Sequence, residues 1–206
     1  MPIQLKVNYT QNFNLKLENN ATGKFITSFI ENEYKLILDE ELRINRNPHK
    51  QDSRIHVAIY FIRPTSRGLS ALDIIVLQNI SARVNVIPVI SKSDTLTEDE
   101  LRLNKKLIMD NIKLYNINIF RFEDDEEFQS IQDKLPFSII SSNIIQNGNH
   151  IRNYPWGLLV IEESVCDFTL FKNILFGSHL QEFKDQTINL KYENYRWEQL
   201  SNKISN

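Results

Sequence analysis

VNVIPVISKSDTLT, residues 84–97, is the stretch on which the reading of this chain turns. Val84 to Ile90 is an apolar run broken only by Asn85, the pattern of a strand buried in a parallel sheet. Ser91-Lys92-Ser93-Asp94 follows at once, which puts it on a loop at the carboxyl end of that strand, where open α/β sheets place their ligands. Thr97 to Glu100 then reads as a capping box that opens a helix, with Thr97 as N-cap and Glu100 three positions on.

Working outward, apolar runs of strand length alternate with amphipathic stretches of helix length, the mark of an α/β layer fold with a mainly parallel sheet. Strands are expected at Leu5–Tyr9, Ile55–Ile62, Val84–Ile90, Ile117–Phe120 and Phe137–Ile140, and helices at 25–42, about 69–80 and 98–114. A strand pair is expected over 143–163 around the turn-forming Asn147-Gly148-Asn149, followed by helices at about 168–183 and 188–202. The 206 residues are 41% hydrophobic and 24% charged, with a formal net charge of −2, so one ordinary globular domain is expected. The near-neutral balance offers no pull toward nucleic acid, and no apolar stretch is long enough for a membrane span. A lone cysteine, Cys166, excludes an internal disulfide and fits a reducing cytoplasm. The four histidines show no metal-ligand spacing with each other or with Cys166, so no metal site and no catalytic triad are expected.

Seven segments in order resemble parts of the septin GTPase domain: EYKLILDEELRINR (33–46), DSRIHVAIYFIRP (52–64), GLSALDI (68–74), VNVIPVISKSDTLT (84–97), LPFSIISSN (135–143), RNYPWG (152–157) and YENYR (192–196). The resemblance implies a P-loop-NTPase-like (GTPase) three-layer α/β fold, incomplete at its N-terminus. Residues 1–206 would form a single partial domain, with 1–14 as a degenerate switch II strand and turn and 143–206 as the septin-specific hairpin and C-terminal helices.

The resemblance also assigns a guanine site. A carboxylate at Asp94 would accept from guanine N1–H and the exocyclic amine, whereas adenine carries an acceptor at N1 and leaves the carboxylate unsatisfied. In septins the lysine stem of this loop lies over the base, which implies that role for Lys92. Ser141 and Ser142 stand where septins usually carry a glycine and a serine or threonine whose backbone approaches the base, and Ser141 adds a Cβ to that approach. Arg152 matches a family arginine that packs on the guanine ring.

The phosphate side is different. A P-loop needs two glycines five positions apart followed by Lys and Ser or Thr, and none of Gly23, Gly68, Gly148, Gly157 and Gly177 forms such a pair. Gly23-Lys24 is expected in a loop entering a helix. Aligned with the family's DTPGFG turn, Tyr9 replaces the metal-linked aspartate and Thr10-Gln11-Asn12-Phe13-Asn14 follows, so Mg²⁺ binding is not expected. Base-only recognition then implies GTP or GDP held at about millimolar affinity, and no hydrolysis is expected.

Septins assemble through alternating interfaces, and the resemblance places Trp156 near the middle of the nucleotide-side contact, with Arg67, Thr95 and Glu100 reaching toward the neighbour's nucleotide. Trp156 reads equally as a core residue, and Glu100 equally as a cap. The acidic run 123–127 (EDDEE) reads as a solvated face. The expected function is that of a non-catalytic subunit or cap in septin filaments or rings, in the cytoplasm and cytoskeleton, acting with other septins in cytokinesis or morphogenesis. The alternative is a truncated record of a normal GTP-binding septin whose P-loop lies upstream. The strand leading into a P-loop would sit between Leu5–Tyr9 and Ile55–Ile62. Its absence predicts either an unstable chain or direct pairing of those two strands, since each unsatisfied buried group costs about 1–3 kcal/mol.

Overall fold

The computed structural model describes residues 5–10, 19–47, 49–65, 67–122, 131–162, 164 and 166–204. Helix α1 (Asn19–Glu41) leads to strand β1 (Val57–Ile62), α2 (Ala71–Ser81), β2 (Asn85–Ser91), a 3₁₀ turn at Ser93–Thr95 and α3 (Glu98–Leu114). Then come β3 (Phe137–Ile139), β4 (Ile144–Gln146), β5 (Asn149–Tyr154), β6 (Gly157–Val160) and the C-terminal helices α4 (Phe168–Asn173), α5 (Leu180–Gln186) and α6 (Glu193–Ile204). Single π-helical turns follow α4 and link α5 to α6.

A parallel sheet in the order β1-β2-β3 forms the centre, with Val57 opposite Asn85 and Val89 opposite Phe137. Its middle strand is buried from Asn85 to Ile90, as a run apolar on both faces requires. Ser70 and Asp73 close a capping box at the start of α2, and Thr97 and Glu100 close another at α3, both dictated locally by residue type. A second, antiparallel sheet runs β4-β5-β6, so the expected strand pair over 143–163 is a three-stranded meander.

The C-terminal helices are tied down by long-range polar contacts. Lys191, buried, donates to the Ser81 carbonyl at the C-terminal end of α2 (2.6 Å), where the helix dipole favours a cation. The Tyr34 hydroxyl donates to the Arg83 carbonyl (2.6 Å), and its ring packs edge-on against Tyr192. Tyr192 and Tyr195 of YENYR are both buried, so that motif serves packing.

Several expectations are corrected. Leu5–Tyr9 forms no strand: residues 5–10 are irregular and exposed. An alternating pattern becomes a strand only against an edge that can bond it, and among the described residues nothing pairs with the outer edge of β1. Among the described residues the sheet thus runs from β1 to β3, without direct pairing of the two segments, and Ile59 and Phe61 are 38% and 59% exposed on one face of β1. Ile117–Phe120 is likewise not a strand. It makes one ladder-like bond, Phe120 N–H to the Val86 carbonyl (2.9 Å), because β3 takes the remainder of that edge of β2 from Val89 onward. Gly23 lies inside α1, where a Cβ would come within 2.7 Å of the Asn79 side chain of α2; it serves close helix packing, and no loop is present there. The expected break between the last helices at 184–187 is absent. The interruption falls at His179, between the π-helical turn Ile174–Ser178 and Leu180, whereas buried Thr187 carries the helix onward by donating to the Phe183 carbonyl (2.8 Å). Gln11–Asn14 of the expected switch turn, Ser66 and the acidic run 123–127 lie outside the described residues.

Candidate functional site

Three loops leave the parallel sheet at its carboxyl end. Register places Ile62 opposite Ile90 and Ser91 opposite Ile139, so the segments carrying Arg67, Lys92–Thr95 and Ser141–Ser142 emerge side by side. The first is shaped by Gly68, whose φ of +71° lets the chain turn so that Leu69 N–H donates to the Asn111 side-chain oxygen (3.0 Å). Arg67 is exposed beside it.

The second loop begins with Lys92 in the left-handed conformation (φ 52°), a cost of about 1–2 kcal/mol for a residue with a Cβ. The reversal leaves Lys92 exposed and turns Asp94 inward, with its side chain 1% accessible. Thr95 donates its hydroxyl to the Lys92 carbonyl (2.9 Å), closing the turn. Glu100 accepts from the Thr97 backbone N–H (2.9 Å), and that bond and the Thr97 hydroxyl hold its carboxyl below the usual range. The capping geometry of Glu100 is thus realised in full.

The hairpin β5–β6 supplies the opposite wall. Arg152 on β5 donates through Nη1 to Asp94 Oδ1 (3.2 Å), and the same nitrogen stands 3.1 Å from Oδ2. Its guanidinium also lies over the Tyr154 ring, 5.4 Å from the centroid. Tyr154 in turn stacks on Trp156, with centroids 4.7 Å apart and planes 9° from parallel. Trp156 is 71% exposed, so its reading as a core residue is overturned: it caps an aromatic ladder that faces solvent. Ser141 is exposed and does not take positive φ, and Ser142 accepts from the Ile144 N–H (3.1 Å) to start β4.

Asp94 and Arg152 are thus brought into contact across 58 residues of sequence, while Ser141, Ser142, Arg67 and Thr95 stand on neighbouring loops. Two polar residues were missed by sequence reading, Asp167 at this end of the sheet and Asn85 at its amino end. Asp167 accepts from Ser138 N–H (2.8 Å), Ser138 Oγ–H (2.7 Å) and Lys105 Nζ (3.0 Å), which joins β3, α3 and the entry to α4. Burial opposes its charge, yet those donors hold its carboxyl below the ordinary value. Asn85 was visible as the single polar residue in an apolar run, and its amide reaches the His56 carbonyl (3.0 Å) and the Phe183 carbonyl (3.0 Å). Among the described residues no group of histidines, cysteines and carboxylates could hold a metal ion. No helix there is long and apolar enough to cross a membrane.

Comparison with known proteins addresses the family and the fold. The family model described as Septin matches residues 1–206. The chain is 42% identical over 196 residues to the seventh homolog of septin 1 of Saccharomyces cerevisiae, covering 90% of this chain and 36% of that protein. It is 42% identical over 215 residues to cell division control protein 11 of the same yeast, covering 97% and 52%, and 37% identical over 212 residues to protein peanut of Drosophila melanogaster, covering 97% and 39%. It thus spans about half or less of the length of these relatives. The crystal structure of Cdc11 from Saccharomyces cerevisiae matches with a TM-score of 0.63 at 33% identity, over 89% of this chain and 78% of that one. With a family model that runs from the first residue to the last and a solved septin that shares its fold, this chain belongs to the septin family.

Proposed function

We propose that this chain is a subunit or cap of septin filaments or rings that meets a neighbouring septin through the face bearing Trp156, and reads guanine there without hydrolysing nucleotide. One observation carries the reading: the stacked Tyr154–Trp156 pair, open to solvent, continues directly from the Arg152–Asp94 contact. A large exposed aromatic at the end of such a ladder has the character of an interface anchor. Arg67 and Thr95 lie at the same end of the sheet, and Glu100 opens the helix that follows, available to an approaching partner as well as to its own cap.

Lys92, Asp94, Ser141, Ser142 and Arg152 form the base side of a GTP or GDP site. Within these 206 residues no glycine pair has P-loop spacing, and Tyr9 supplies no anionic oxygen for Mg²⁺, so they contain no phosphate or metal side to the site. Phosphoryl transfer depends on positioning and charge neutralisation, and neither has residues here to supply it. The family supports a place in the septin cytoskeleton during cell division or morphogenesis.

The test is co-assembly. Purified chain is mixed with septins isolated from the same cells and followed by sedimentation and negative-stain microscopy, with Trp156→Asp as the interface variant. Incorporation of the parent chain, its loss in the variant, and a GTP turnover no higher than the septins alone are expected. Equal incorporation of both chains, or added turnover that requires this chain, refutes the proposal.

A further inference from the structure

We infer that Arg152 is a built-in surrogate for the guanine edge: it holds the Asp94 carboxylate in the free chain, and a base binds only by displacing it. This rests on the guanine reading of Asp94 given above. The Asp94 side chain is 1% accessible, so it cannot turn to water for hydrogen bonds and must be served by protein or ligand. What serves it is a single guanidinium nitrogen, 3.2 Å from Oδ1 and 3.1 Å from Oδ2. Only the first contact is a directed hydrogen bond, and Oδ2 accepts none. A well-formed arginine–carboxylate fork uses two parallel N–H groups, so this pair falls short of what the carboxylate can accept.

Guanine presents at its Watson–Crick edge the two parallel donors, N1–H and the exocyclic N–H, that Arg152 fails to deliver. Exchange of one donor for two favours the base. Adenine has an acceptor at N1, cannot displace the guanidinium, and would leave the carboxylate worse satisfied than before. The arginine therefore raises the threshold for binding and sharpens it toward guanine. Displaced, Arg152 keeps a resting place, because its guanidinium already lies over the Tyr154 face, where cation–π attraction holds it while the carboxylate changes partner. Arg152 sits on β5 and Asp94 on the loop after β2, so the exchange also releases an ion pair that ties this hairpin to that loop.

The sign of the arginine's effect separates this role from a stacking role. A partly exposed pair of this kind is worth about fivefold in an equilibrium constant, so removing the competitor tightens guanine binding by about that factor. A residue that merely packs on the base loosens binding when removed. The experiment is a ligand-observed NMR titration of the full chain with guanosine monophosphate and with adenosine monophosphate, for the parent protein, Arg152→Ala, Arg152→Gln and Asp94→Ala. Thermal unfolding confirms that each variant is folded. Tighter guanosine monophosphate binding in the Arg152 variants, with adenosine monophosphate unchanged and Asp94→Ala inactive, is the expected result. Unchanged or weaker guanosine monophosphate binding in folded Arg152 variants overturns the surrogate role and leaves the guanine reading standing. Equal treatment of the two nucleotides by parent and Arg152 variants alike overturns both. Should the variants fail to fold, the Arg152 Nε–H resonance of the parent chain decides: a shift on adding guanosine monophosphate but not adenosine monophosphate supports displacement, and its absence at saturation overturns it.

Discussion

Replacing Asp167 by alanine removes a carboxylate that accepts three hydrogen bonds from two other elements, and the structure allows the loss to be sized. Ser138 is fully buried, so its N–H, now 2.8 Å from the carboxylate, would be left without a partner. That omission costs about 1–3 kcal/mol, and the hydroxyl bond, charge-assisted at 2.7 Å, adds about 1.5 kcal/mol or more. Lys105 retains the Lys134 carbonyl at 3.0 Å, so the loss of its ion pair adds less. The sum is about 3–5 kcal/mol, and Asp167→Asn, which keeps one acceptor, should cost about half. In urea, with a slope of about 2–3 kcal/mol/M, alanine lowers the midpoint by roughly 1–2 M. The pH dependence has a definite sign. The carboxyl is held below its ordinary value in the fold, so its contribution is complete above the unfolded pKa of about 3.9 and is lost as pH falls through the lower folded value. The gap between parent and Asp167→Ala is therefore flat from pH 5 to 8 and narrows below pH 4. A loss under about 1 kcal/mol at pH 7, or a gap that widens in acid, refutes the argument.

Gly68→Ala places a Cβ against the Asn111 side-chain oxygen at φ +71°, and should destabilise by more than about 1 kcal/mol; an unchanged thermal midpoint would contradict this. Arg83→Ala frees Glu31 and Glu198 and strips the guanidinium from Tyr195, and since those carboxylates are 33% and 42% exposed the expected loss is only about 1–2 kcal/mol, read from the urea midpoint. Ser70→Ala breaks the capping box of α2 at a cost of about 1 kcal/mol, while Ser70→Gly should cost only a few tenths; the difference between the two in thermal unfolding checks that the cap is responsible.

Local chemistry was legible wherever neighbours in sequence decide it. The apolar run before Ser91 is β2, the Thr97–Glu100 capping box opens its helix, and Asn147-Gly148 turns a hairpin with positive φ at both residues, because each depends on groups a few positions apart. Leu5–Tyr9 misled for the converse reason: its alternation is genuine, but a strand exists only when it pairs, and among the described residues the segment pairs with nothing. The proposed base site shows the same division. Residue types placed Asp94 at the carboxyl end of a parallel strand, yet its burial, and the arginine that reaches it from a hairpin 58 residues away, follow from how two sheets are set against each other.

By itself, then, the sequence determined the family, the middle of the parallel sheet, the start of α3 and the residue types on the loop that follows β2, since these are carried by short-range patterns and ordered motifs. Tertiary structure alone decided that Trp156 faces solvent, that Gly23 lets two helices approach, that Asp167 ties β3 to α3, and that Asp94 is already held. Each of these is a question of which distant surface arrives at a given side chain, and a buried polar group or an exposed ring acquires its meaning only from what is packed against it.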